Sequence, residues 1–137
     1  VPGDRYVVWD SEFGRIGLSV CWDMQFPEVA RHYALSACTL VVCPTWGWEK
    51  LYAQARAYEN GIHVAAAMAV PYRGPITGIR APSQVIAPDG RILACGRTDG
   101  EDLVEAELDL HREWEEHRIR MHDRRSDTYG KLVSKCL

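Results

Sequence analysis

Residues 14–28 read GRIGLSVCWDMQFPE, and this stretch predicts the change from strand to helix on which the fold depends. Residues 16–20 form a short apolar run of strand length, and Cys21 ends it. Pro27 and Glu28 are typical of a helix start, because proline fits the first turn and the helix dipole favours an acidic residue there. We therefore expect a strand, a short connection after Cys21, and a helix that runs to about residue 36.

Strands and helices alternate along the rest of the chain. Apolar runs bounded by turn residues predict further strands at 6–9, 39–43 (stopped by Pro44), 62–70, 83–87, 91–95 and 103–108. Helical spacing predicts helices at 49–60 and, from a cap at Asp109, through about residue 121. Residues 46–48 and 71–82 are predicted loops, and the tail from 123 is polar and irregular. The pattern indicates one α/β (α+β layered) domain over residues 1–137.

The composition excludes several classes of protein. The chain has 137 residues, 47% of them hydrophobic and 26% charged, with a net charge of -3. These values are those of an ordinary globular domain, and the acidic balance argues against nucleic acid as a partner. The longest nearly apolar stretches, 40–43 and 62–72, are shorter than the roughly 20 residues that a membrane helix needs. We expect neither a nucleic-acid partner nor a membrane.

The chain contains five cysteines, at positions 21, 38, 43, 95 and 136. Their number is odd and no pair has the CxxC spacing, which favours free thiols in a reducing, cytoplasmic environment. Cys21 occupies the position of greatest interest, because sites in open α/β sheets favour the carboxyl end of a strand. A thiol near a helix start also has a stabilised thiolate. From position alone, a reactive cysteine and a buried structural one both stay open.

Five short motifs then follow one another along nearly the whole chain: Gly14-Arg15-Ile16-Gly17 with Cys21-Trp22-Asp23 and Phe26-Pro27-Glu28; Pro44-Thr45-Trp46; Arg56-Ala57-Tyr58-Glu59-Asn60; Ser83 with Pro88-Asp89-Gly90; and Leu108-Asp109-Leu110 with Arg124-Arg125 and Tyr129. In this order they resemble the nitrilase, or carbon–nitrogen hydrolase, superfamily. The resemblance implies a four-layer α-β-β-α sandwich. This chain corresponds to its C-terminal half, a mixed sheet with helices on one face, and lacks the N-terminal half.

The resemblance also implies a chemistry, in which a cysteine thiolate attacks an amide, carbamoyl or nitrile carbon and a thioester is hydrolysed. Cys21 matches the nucleophile, and the backbone N–H of Trp22 matches an oxyanion donor. Trp46 is expected to line the substrate pocket. The resemblance implies no cofactor and no metal. The family's catalytic glutamate and lysine lie before the cysteine, and no residue here matches them, so an isolated chain is expected to be incomplete or inactive.

Several weaker hypotheses accompany this one. Glu49 and Lys50 match no catalytic position and are interpreted as a solvated helix start, while Arg56 and Glu59 are expected to pair at helical spacing. His32 or His63 could instead serve Cys21 as a base, although packing is favoured for His63. A thiol-redox role with Cys38 or Cys43 is disfavoured by the spacing.

Two hypotheses concern partners. Half a sandwich leaves a sheet face uncovered, which predicts a homo-oligomer or a complementary N-terminal half-domain. A non-catalytic assembly module that retains a vestigial cysteine is the alternative to a hydrolase acting on a small-molecule amide or nitrile.

Overall fold

The computed structural model describes residues 3–47, 49–69, 81–111 and 115–134. In these residues the strands are β1 (Val7–Ser11), β2 (Gly14–Leu18), β3 (Leu40–Thr45), β4 (His63–Met68), β5 (Gln84–Ile86) and β6 (Ile92–Cys95). The helices are α1 (Pro27–Leu35), α2 (Lys50–Asn60) and α3 (Glu115–His122). Short 3₁₀ helices span Cys21–Gln25, Ser126–Thr128 and Gly130–Val133. None of the helices in the described part of the chain is both long and apolar enough to cross a bilayer.

The strands form one sheet in the order β1-β2-β3-β4-β5-β6. β2, β3 and β4 run parallel, while β1, β5 and β6 join antiparallel to their neighbours. The predicted mixed sheet is therefore confirmed, with α1 and α2 as the connections between its parallel strands. Because parallel strands end at the same edge, the chain after β2 and the chain after β3 meet at one edge of the sheet.

One face of the sheet is covered by α1 and α2. Buried side chains of the strands, of the two helices and of the segments that join them form a single cluster: Met24, Val29, Ala30, Tyr33, Cys38, Val41, Cys43, Ala53, Ala57, Ile62, Val64, Ala66, Ala81 and Ile86. Alanines on α2 bring that helix close to the sheet. Gly17 has a similar purpose on β2, since a Cβ there would lie 2.5 Å from the ring of Tyr33. The Tyr33 hydroxyl donates to the carbonyl of Leu18, which fixes the end of β2 against α1.

The opposite face of the sheet is apolar and partly open. Val42, Ala65 and Val85 line a cavity of about 380 Å³ there, and residues 102–104 cross over it. The strand predicted at 103–108 is wrong, since these residues form no ladder. Among the described residues, no neighbouring strand pairs with this alternating pattern, and Leu103 is 80% exposed. The segment instead runs across the open face, and Leu110 lies beside Gly14.

The strand predicted to stop at Pro44 continues to Thr45. The carbonyl of Val42 accepts a hydrogen bond from Ser19, so alternate residues of β3 turn their backbone groups towards β2. Since β2 ends at Leu18, the N–H that Pro44 lacks would face a position beyond that strand. Proline therefore removes no bond of the ladder at this place.

The C-terminal region differs from its prediction in the tail. The carboxylate of Asp109 accepts a hydrogen bond from the N–H of His111 at 3.1 Å in a turn, and its role as the cap of the last helix stays a prediction, because residues 112–114 lie outside the described residues. The tail expected to be irregular contains the two short 3₁₀ helices after α3. The predicted loop at 71–82 lies mostly outside the described residues.

Candidate functional site

Cys21 lies in a strained turn beyond the end of β2. The strand predicted to end at Cys21 ends at Leu18, and Cys21 begins the 3₁₀ helix with a positive φ of 47°. This backbone conformation is costly for a residue with a side chain, and such positions cluster at functional sites. Asp23 holds the turn, since its carboxylate accepts the N–H of Val20 at 2.9 Å and its own N–H donates to the Val20 carbonyl at 3.1 Å.

Arg56 of α2 binds the backbone of the same turn. Its guanidinium donates to the carbonyl of Met24 at 3.2 Å and to that of Gln25 at 2.9 Å. It also forms the predicted i,i+3 ion pair with Glu59, with an N–O distance of 3.1 Å. Arg56 is only 8% exposed, so these contacts replace the water that its charge would otherwise bind. The predicted structural pair therefore has a further purpose, which is to fix the backbone that follows Cys21.

The surroundings of the Cys21 thiol favour its ionised form. Burial on its own would raise the pKa of this thiol. The pKa is nevertheless lowered from its ordinary value, because hydrogen bonds stabilise the thiolate. They come from the side chain of Thr45 and from the backbone N–H groups of Trp46, Gly47 and Trp22. The thiolate is the nucleophilic form of cysteine. The turn after β2 and the loop after β3 thus build an anion-stabilising site together.

The other buried thiols have the opposite character. Burial raises the pKa of Cys38 and that of Cys43 to about 11. Cys38, Cys43 and Cys95 are free, as Cys21 is, and Cys95 is exposed. Cys21 therefore differs from the two buried thiols, Cys38 and Cys43, which burial keeps protonated.

Cys21 opens into a cavity of about 250 Å³ at this edge of the sheet. Its described lining consists of Cys21, Trp22, Gln25, Trp46, Gly47, Glu49 and Tyr52. Trp22 and Trp46 are 68% and 60% exposed, which is unusual for side chains of this size and leaves aromatic surface exposed at the mouth. The three residues expected at the site, Cys21, Trp22 and Trp46, thus lie together.

Sequence reasoning missed Gln25, Glu49 and Tyr52. The interpretation of Glu49 as a solvated helix start is wrong in one respect: Glu49 is the N-cap residue of α2, but it is half-buried and lines the cavity. Its spacing from Tyr52 is that of neighbours on one helical face, a signal that could have joined the two. Lys50 is exposed, as expected.

The histidines considered as a base lie elsewhere. His63 begins β4 and pairs with Leu40, at the opposite end of the strands from Thr45. Its Nδ1 lies 3.3 Å from the Thr39 carbonyl, and burial lowers its pKa. His32 stacks on Tyr6, with ring centroids 4.3 Å apart. In the described part of the chain, no three histidine, cysteine, aspartate or glutamate side chains form a group that could hold a metal ion.

Comparisons with known proteins agree on one family. The model of the carbon-nitrogen hydrolase family matches residues 1–115. The human omega-amidase NIT2 is 34% identical over 146 residues, covering 98% of this chain and 51% of that protein. A carbon-nitrogen hydrolase from Helicobacter pylori G27 aligns over 98% of this chain and 55% of its own, with a TM-score of 0.81 and 26% identity.

An amidase from Nesterenkonia sp. AN1 provides a further comparison. It aligns over 97% of this chain and 50% of its own, with a TM-score of 0.76 and 27% identity. In that structure, of a variant enzyme, the acetamide moiety of fluoroacetamide is covalently added to the active-site cysteine. The present chain spans about half the length of the relatives that it matches.

Proposed function

Because the chain belongs to the carbon–nitrogen hydrolase family, we propose that it provides the cysteine nucleophile for hydrolysis of a non-peptide C–N bond in a small amide, carbamoyl compound or nitrile. The observation that carries the proposal is the Cys21 turn. It combines a strained backbone, a lowered thiol pKa and a cavity lined by exposed aromatic side chains. The fluoroacetamide adduct of the Nesterenkonia amidase supports an amide as the substrate class.

For an amide, the Cys21 sulphur forms a bond to the carbonyl carbon, and the carbonyl π electrons move to the oxygen. The N–H of Trp22, which already lies beside the sulphur, donates to that oxyanion. The tetrahedral intermediate collapses, the C–N bond breaks, and the amine or ammonia leaves with an added proton. Water then attacks the thioester, and the carboxylic acid departs as the thiolate is restored. Trp46 lines the wall along which the substrate lies.

The described lining of the Cys21 cavity contains no lysine, arginine or histidine to supply the countercharge for the oxyanion, and we infer that this group and the acid–base group of the reaction lie outside that lining. We propose that they come from polypeptide that covers the apolar face lined by Val42, Ala65 and Val85, either a complementary N-terminal half-domain or a second copy of this chain. Light scattering tests this association, and a monodisperse monomer that still hydrolyses an amide would contradict it. The free thiols support a reducing compartment such as the cytoplasm.

The central experiment measures covalent capture and turnover on the same protein. A haloacetamide should add one acetamide group to Cys21, as shown by peptide mass spectrometry, and a panel of small amides should release ammonia. Cys21→Ala should abolish both. Cys43→Ala is the matched control, because it removes a neighbouring buried thiol and should preserve capture.

Each outcome has a defined meaning. Capture with turnover supports the hydrolase. Capture without turnover supports an assembled thiolate that lacks its acid–base partner. If Cys21 reacts no faster than the other thiols, the proposal fails and a non-catalytic assembly module becomes the better interpretation.

A further inference from the structure

We propose that Glu49 makes the Cys21 cavity selective for amides that have a positively charged group beside the reacting carbonyl. This inference rests on the proposed function of Cys21 and specifies its substrate class. The feature that carries it is a glutamate that lines the nucleophile's cavity together with aromatic residues, and whose charge acts on Tyr52 in the same lining.

The backbone of Glu49 is held in place by α2. Its φ and ψ of -108° and 130° are extended, and its carbonyl accepts the N–H of Ala53 at 3.2 Å. Glutamate side chains at such positions can cap the helix, but that of Glu49 makes no capping hydrogen bond. The residue is half-buried and contributes to the cavity lining. Its carboxylate is therefore not used to begin the helix, although the residue lines the cavity.

The charges around the cavity have one sign. Among the described lining residues, none is a lysine, an arginine or a histidine, and Glu49 provides the carboxylate. The nearby carboxylate of Asp23 is engaged by the N–H of Val20 at 2.9 Å. Burial raises the pKa of Tyr52, and the negative charges of Glu49 and Cys21 contribute to that rise, which places its hydroxyl within electrostatic reach of both.

The aromatic walls favour the same kind of ligand. Trp22 and Trp46 flank the nucleophile and are largely exposed, and the face of a tryptophan ring attracts cations. An anionic group on the substrate would meet the Glu49 carboxylate without a countercharge among the described lining residues. An ammonium or guanidinium group would meet both a carboxylate and ring faces.

Thiol reagents of different charge test the inference without requiring turnover. Three methanethiosulfonates of similar length are suitable, with trimethylammonioethyl, hydroxyethyl and sulfonatoethyl groups. Each transfers its thioalkyl group to a thiolate, forming a mixed disulfide and releasing methanesulfinate. Peptide mass spectrometry gives the rate at each cysteine, and exposed Cys95 on the same molecule serves as the internal reference.

We expect the cation-to-anion rate ratio at Cys21 to exceed that at Cys95 by about five- to tenfold at low salt, the size of a partly exposed ion pair. Glu49→Gln should lower the ratio to that of Cys95, and Glu49→Lys should invert it. Glu12→Gln, in the exposed turn between β1 and β2, removes the same charge at a distance and should change nothing.

The outcomes separate the two proposals. Equal ratios at Cys21 and Cys95, or a ratio that survives Glu49→Gln, would overturn the inference and leave the nucleophile intact. Failure of all three reagents to modify Cys21 would overturn both the inference and the proposed function on which it depends.

Discussion

Cys21 and Cys43 lie on neighbouring segments at the same edge of the sheet, yet their surroundings give them opposite chemistry. Cys43 is 1% exposed within β3, and burial raises its pKa to about 11. Cys21 lies three residues beyond β2, where a side-chain hydroxyl and three backbone N–H groups lower its pKa despite burial. The same residue type is thus a core side chain in one place and a candidate nucleophile in the other. The deeper burial of Cys43 and the hydrogen-bond donors around Cys21 together distinguish the two thiols.

The largest expected contrast is in the rate of alkylation across pH 5 to 9. At pH 7 a thiol with a pKa of about 11 has a thiolate fraction of about 10⁻⁴, so iodoacetamide should modify Cys43 very slowly. Cys21 should be labelled faster by about a hundredfold or more, with a midpoint below that of an ordinary thiol. Peptide mass spectrometry reports both sites in one sample. If the alkylation rates of Cys21 and Cys43 depended on pH in the same way, the two thiols would not differ in ionisation as we expect.

Loss of Arg56 should reduce both the stability of the fold and the reactivity of Cys21. Arg56→Ala leaves the carbonyls of Met24 and Gln25 without their donor and should lower the free energy of unfolding by about 3 kcal/mol. The Cys21 labelling midpoint should also move to higher pH, as the turn relaxes. Urea denaturation and alkylation measure the two effects. Glu59→Gln keeps the contacts to the turn, so its Cys21 profile should match that of the unmodified protein.

Alkaline pH should destabilise the fold through Cys43. Its pKa rises from 9.0 to about 11 on folding, so the folded state holds the proton more tightly. The resulting stability is complete below pH 9 and is lost as pH rises towards 11, by about 2–3 kcal/mol. The lowered pKa of Cys21 has the opposite sign, since its contribution is lost as pH falls. In chemical denaturation at pH 8 to 11, Cys43→Ala should reduce the slope to the part that Cys38 and Tyr33 maintain, and Cys21→Ala should not reduce it.

The smallest effect should come from Thr45. Thr45→Val removes the hydroxyl beside Cys21 and should slow its alkylation at pH 7 by about tenfold, the value of one hydrogen bond to a charged group. Thr45→Ser retains the hydroxyl and should label almost normally. If the valine variant kept the original pH profile, the backbone N–H groups alone would account for the thiolate.

Much of this site follows from local sequence. An apolar run, a cysteine and a Pro-Glu helix start are enough to predict a strand, a turn and α1. Trp22 follows Cys21 directly, and Trp46 lines the same cavity because it follows β3, which runs parallel to β2. These features are fixed by neighbours in the chain or by the edge at which parallel strands end.

The features that escaped prediction depend on distant contacts. The alternation at 103–108 describes a strand only if a partner lies alongside, and β6 has no such partner among the described residues. Pro44 can belong to β3 because β2 ends before the position that an N–H at residue 44 would face. The position of Glu49 in the cavity lining depends on how α2 packs at the end of β3. The residues next to Glu49 in the sequence do not determine that packing.

The connection between β3 and α2 consists of residues 46–49, and three of them, Trp46, Gly47 and Glu49, line the cavity. The opposite wall is the Cys21 turn, which is anchored separately by Asp23 and Arg56. An insertion in this four-residue connection would therefore widen the cavity while leaving the nucleophile's support in place. The length of this connection would then set the size of ligand that the cavity admits, and a library of insertions confined to residues 46–49 would measure how far the two can be changed together.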